Sequence, residues 1–287
     1  MVVSGTVPTE LGDKKIRDLL MQYAVPAIIA MTASSLYNMV DSIFIGHIKD
    51  VGSYAISGLA VTFPLMNIST ALGTLVGVGA STILSMLLGQ RNYQAANKVI
   101  INEVMLNVII GTLYTVITLV FLDPILMFFG ASANTLPYAR DYMVIILIGN
   151  VITHLYFGLN NIIRASGNPK LAMALTIFTV VSNTILDPIF IFWLDMGIKG
   201  AALATVICQL LALVYTVRYF LSGKNYLRLP RRMSEYRLDW RIAKDSLTIG
   251  MGPFLMNSAA CIVTMFINQQ LSKYGGDLAI GAYGIVN

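Results

Sequence analysis

The chain has 287 residues, 56% of them hydrophobic and only 11% charged, with a net charge of +5. A soluble domain carries about 25% charged residues, so this balance excludes an ordinary soluble enzyme and defines an all-α polytopic membrane protein. Cys208 and Cys261 sit in separate apolar runs with no CxxC or metal spacing, which reads as buried free thiols.

Residues 1–18 are polar and carry acids, and no short apolar core with a small-residue cleavage site follows, so no removable signal peptide is expected. Seven apolar spans follow, at about 19–45, 55–88, 99–121, 139–161, 171–193, 197–221 and 246–271. Lys and Arg divide between the two sides of these spans. Fifteen (Lys14, Lys15, Arg17, Arg91, Lys98, Arg164, Lys170, Arg218, Lys224, Arg228, Arg231, Arg232, Arg237, Arg241 and Lys244) fall on one side, and four (Lys49, Arg140, Lys199 and Lys273) on the other. The positive-inside rule then predicts a cytoplasmic N-terminus and a cytoplasmic basic linker at 222–244. That linker is a topology determinant that can touch anionic lipid, and no nucleic-acid role is expected.

Pro26 lies near the start of the first span, where a missing amide hydrogen favours a kink or hinge. Gly73, Gly77 and Gly79 in the second span permit close helix packing. Glu103 is placed near the cytoplasmic face and Asp123 at the opposite interface. Tyr142, His154, Asn160 and Asn161 put polar groups in or beside the fourth span, and His154 reads as a packing histidine. The turns Gly89–Tyr93 and Ser166–Lys170 punctuate helix ends.

The fifth span contains Asn183, Thr184, Asp187 and Pro188. A carboxylate in such a run costs roughly 2.5–3.5 kcal/mol, so an intramembrane acid signals function. Asn183 and Asp187, four residues apart, share a helix face, so the amide can reach the acid. Pro188 leaves the Thr184 carbonyl without its helical donor. An acid, an amide and a freed carbonyl on one face form a cation or proton site, the plain alternative being a polar helix–helix contact. Asp41, late in the first span, and Thr205, about 12 Å into the sixth, lie at a similar depth to Asp187. Whether their faces converge is not fixed by sequence.

The chain also repeats itself at an offset of about 227 residues. Arg17 meets Lys244, Pro26 meets Pro253, Asp41 meets Asn268, Asp50 meets Asp277 and Ala55 meets Ala282. The expected units are a six-helix lobe at 1–221, the linker at 222–244, and the beginning of a second lobe at 245–287, with further helices predicted after the seventh.

Four motifs carry a resemblance. They are Leu36-Tyr37-Asn38-Met39-Val40-Asp41, the Arg-x-x-Gly-Asn-Pro of 164–169, the Asn-x-x-x-Asp-Pro of the fifth span, and Gly200-Ala201-Ala202-x-Ala204-Thr205. In combination they resemble the multidrug and toxic compound extrusion (MATE) transporters, nearest the DinF-type branch. The resemblance implies two six-helix lobes around a central cavity and export of amphipathic or cationic drugs against H+ or Na+. It implies a cation site at Asp41, Asn183, Asp187 and Thr205, with Tyr142 beside it; Tyr37 and the polar groups Asn160, Asn161 and His154 are further candidates for the cavity or its network. It also implies a secondary transporter rather than an enzyme, with no cofactor and no metal beyond a coupling Na+, in the cytoplasmic (inner) membrane as a monomer.

An acid on the seventh span, which the NorM-type branch would have, is missing here. A lipid-linked oligosaccharide flippase of the same superfamily is a second reading. It expects cationic cavity residues, and no Lys or Arg lies well inside a span. A membrane prenyltransferase is more remote, since it needs several carboxylates near the cytoplasmic face to hold Mg²⁺. A channel has no ring motif in support.

Overall fold

The computed structural model describes residues 15–48, 51–222, 226–230, 232 and 235–286. Lys14, Lys49, Asp50, Lys224, Arg231 and Ser234 lie outside the described residues, and with them part of the charge split and the Asp50–Asp277 repeat pair. All regular structure among the described residues is helical. The helices are α1 (Ile16–Gly46), α2 (Gly52–Gly89), α3 (Tyr93–Val120), α4 (Leu122–Phe128), α5 (Leu136–Ala165), α6 (Pro169–Pro188), α7 (Ile198–Leu221), α8 (Trp240–Tyr274) and α9 (Gly276–Val286). Seven of these, all but α4 and α9, are long and apolar enough to cross a bilayer, α6 with the π turn Ile189–Trp193 that continues it. They match the seven expected spans, and the chain is a multi-pass membrane protein. The ends near residues 89–93, 165–169 and 221–240 are called the linker end here, and the opposite ends the far end.

Close packing rests on small residues, because bilayer lipid gives helices little hydrophobic reason to associate. The α2–α8 contact is the most extensive in the molecule. A Cβ on Gly79 would stand 1.9 Å from the Ser246 carbonyl oxygen, and one on Gly250 would stand 1.8 Å from that of Leu75. Only glycine allows these backbones to approach so closely. Cys261 Sγ donates to the Pro64 carbonyl (3.3 Å), and Asn268 Nδ2 to that of Ala60 (3.4 Å). Both cysteines are free and buried, as their apolar surroundings predict. Helix α1 leans chiefly on α6 and runs through Pro26 without a break.

The basic linker is more than a connector. Leu227 and Leu229 are buried, and Tyr226 stacks edge-on against Tyr93 (5.8 Å) while its hydroxyl donates to the Ser166 carbonyl. Burial pushes the Tyr226 phenol up to about 12, so that donor persists at any physiological pH. Asn97 Oδ1 accepts from the Arg228 amide (2.7 Å), and Asn102 Oδ1 from the Asp239 amide (2.8 Å). Asp239 caps α8, which starts at Trp240 inside the stretch expected to be linker. At the far end, Asp123 pairs with Arg140 (3.5 Å) and Asp141 with Lys199 (3.2 Å).

Candidate cation-binding site

Local sequence brings three helices together near the far end. At 1.5 Å per residue, Asp41 lies about 8 Å from the end of α1, Asp187 about 9 Å from the end of the π turn, and Thr205 about 10 Å into α7. Pro188 cannot donate to the Thr184 carbonyl, and directly after it the helix widens into the π turn. The start of α7 presses against this turn: a Cβ on Gly200 would stand 2.7 Å from the Phe190 carbonyl carbon. Ala201, Ala202 and Ala204 are fully buried beside it. The small-residue run thus sets α7 close enough for Thr205 to meet α6. Phe44 meets Phe192 edge-on at 6.3 Å and joins α1 to the same turn.

Thr205 is the junction. Asn183 Nδ2 donates to Thr205 Oγ1 (3.2 Å), and the Tyr37 hydroxyl lies 3.0 Å from the same oxygen. Asn183 also stands near enough to act on Asp187, while its amide donates to Thr205. The bond to Thr205 uses one of the two amide hydrogens and links α6 to α7. Asp41 acts electrostatically on Asp187, and both act on Tyr37 and Tyr142. The faces carrying Asp41, Asn183, Asp187, Thr205, Tyr37 and Tyr142 do converge. Asp41 is 5% exposed and Asp187 fully buried. Asp41 Oδ1, both Asp187 oxygens and Asn183 Oδ1 have no hydrogen-bond partner among the described residues.

The remaining expected residues lie elsewhere. Asn160 donates to the Ala172 carbonyl (3.1 Å), tying α5 to α6 in the linker half. Asn161 packs against Gly77. His154 sits between α2 and α3, with Nε2 3.0 Å from Ser69 Oγ. None of the three is bonded to the acid pocket. Glu103, which the sequence places near the cytoplasmic face, is fully buried in α3 and bonded to Asn107. The helix starts six residues before the expected span, so Glu103 lies about 15 Å from its first residue.

Seven bilayer-length helices around a buried pair of carboxylates define an integral membrane protein with a polar site inside its helix bundle. A family model described as MatE matches residues 26–189, and the chain belongs to that family. It is 30% identical over 266 residues to the multidrug export protein MepA of Staphylococcus aureus, covering 93% of this chain and 58% of the relative. MepA of Staphylococcus haemolyticus is 32% identical over 273 residues, covering 95% and 59%. The solved MATE multidrug transporter DinF-BH superposes with a TM-score of 0.91 at 35% identity, covering 98% of this chain and 62% of that one. The chain thus spans somewhat under two thirds of the length of these relatives. The architecture is that of the six-helix N-terminal lobe of a MATE-type transporter, followed by the start of the second lobe.

Proposed function

We propose that this chain forms the cation-coupling part of an antiporter that exports amphipathic or cationic small molecules, driven by inward H+ or Na+. The supporting observation is the cluster of four unpartnered buried oxygens on Asp41, Asp187 and Asn183. Two carboxylates in a low-dielectric pocket cannot both stay charged without a compensating cation. A proton satisfies them, and so does Na+, since carboxylate, amide and hydroxyl oxygens are hard ligands. Tyr37 and Thr205 join the three helices, so neutralising the pair draws α1 toward α6. A substrate that favours the conformer with α1 displaced would then compete with the cation by differential binding. The likeness to MepA, a multidrug export protein, and to DinF-BH, a multidrug transporter, supports drug export, and no cofactor is needed for it.

The test is efflux of a cationic dye from proteoliposomes containing the intact transporter, under separate H+ and Na+ gradients. Asp41→Asn and Asp187→Asn should each abolish gradient-driven efflux while expression persists, whereas Asn268→Ala should be much milder. Wild-type pumping by Asp187→Asn under both gradients would reduce the acid to packing.

We also propose a cytoplasmic-membrane location with the N-terminus and the linker in the cytoplasm, on the charge split. A cysteine placed at Ser234 should resist an impermeant thiol reagent in intact cells, and labelling there would reverse the topology.

A further inference from the structure

A second group of buried polar atoms lies in the seam between α3 and α5. Helix α3 carries Glu103, Asn107 and Gly111 at four-residue spacing, and antiparallel α5 opposes them with Gly158, His154 and Asn150 at the same spacing. The glycines make room. A Cβ on Gly158 would stand 1.7 Å from Glu103 Oε1, and one on Gly111 would stand 3.4 Å from His154 Nδ1. Glu103 and Asn107 are fully buried, and Asn150 and His154 are each 2% exposed.

Counting donors shows what the seam lacks. Asn107 Nδ2 donates to Glu103 Oε1. The one Ser69 hydroxyl proton goes to Asn150 Oδ1 (2.6 Å), so the proton between Ser69 and His154 must sit on Nε2. His154 Nδ1 is then a bare acceptor. It joins Glu103 Oε2 and Asn107 Oδ1, and none of the three has a hydrogen-bond partner among the described residues. Asn150 Nδ2 faces the other way, donating to the Gly111 carbonyl (3.3 Å). Glu103 is influenced by burial and Asn107 alone, and His154 by burial and Ser69 alone; no Lys, Arg or second acid acts on either among the described residues. Three acceptors with no donor and no cation make an unsatisfied site wherever water is excluded.

We propose that this seam is a second proton-binding site, in which Glu103 carries one proton and a bridging water links it to Asn107 Oδ1 and His154 Nδ1. Protonated Glu103 donates to the water, whose two hydrogens go to Asn107 Oδ1 and His154 Nδ1. Each of the three atoms thus gains a partner, and the water has the three polar neighbours typical of a buried water. The site is separate from the Asp41–Asp187 pocket and does not depend on the transport reading.

The test is infrared difference spectroscopy of the full chain carrying Asp41→Asn and Asp187→Asn, which removes the other buried acids from the carboxyl region. A protonated-carboxyl carbonyl band that moves down in D₂O is expected, and Glu103→Gln should abolish it. Asn107→Ala, which removes the hydrogen bond but keeps the acid, should shift the band to higher frequency. That variant serves if Glu103→Gln fails to fold. Absence of the band, or a band that neither substitution alters, overturns the proposal.

Discussion

Helices α1 and α8 are copies in sequence, each with a proline eleven or fourteen positions from its start and a polar residue about five or six positions before its end. Their surroundings differ. Helix α8 is locked to α2 by backbone contacts that only glycine permits, and it carries a neutral amide, Asn268. Helix α1 leans on α6 and carries an acid, Asp41, while both helices leave much of their apolar surface uncovered. Hydropathy sets the length of both helices, and small residues decide which one is held fast. The ionisable residue belongs to the copy with fewer constraints, as expected of a helix whose position responds to a bound cation.

The largest expected effect lies on the locked helix. Gly250→Val places a branched side chain where even a Cβ would stand 1.8 Å from the Leu75 carbonyl oxygen. A stability loss of about 3 kcal/mol is expected. At Gly252, two residues on, a Cβ would meet nothing within 4 Å, so Gly252→Ala should stabilise by about 0.5–1 kcal/mol. Thermal unfolding in detergent measures both. Equal effects at the two positions would remove the claim that the close contact with α2 is what holds α8 fast.

Next comes the junction that holds α1. Thr205→Val removes the oxygen shared by Asn183 and Tyr37 and should cost about 1–3 kcal/mol, while Thr205→Ser should recover most of it. If valine is tolerated as well as serine, the three-helix link has no energetic weight.

The smallest stability effect is expected at Pro26. A helix-interior proline is unfavourable, so Pro26→Ala should fold at least as well as the parent. Its export should nonetheless fall if α1 bends there, whereas Pro253→Ala should leave export nearly unchanged. Full export by Pro26→Ala would remove the hinge.

Much of this was legible in the sequence. Seven spans followed from hydropathy. The shared depth of Asp41, Asp187 and Thr205 followed from a fixed rise per residue. Their convergence did not, because rotation about each helix axis is set by packing, here by Gly200 against the π turn. The burial of Glu103 was not readable from hydropathy, because it depends on which helix covers that face of α3. The opposed four-residue spacings of 103, 107, 111 and 150, 154, 158 were the available signal. The docking of the linker was not readable, because nothing in the sequence pairs Asn97 and Asn102 with the strap that uses them.

That strap has a consequence for tether mechanics. A free chain of about 18 residues between α7 and α8 would let its ends separate by roughly 23 Å on average. Here Arg228 and Asp239 are both hydrogen-bonded to α3, so most of that slack is already taken up. The first turn of α8 is therefore a fixed pivot, and any swing of that helix must grow with distance from it. The far end, where Asn268 faces α2, has the longest lever arm.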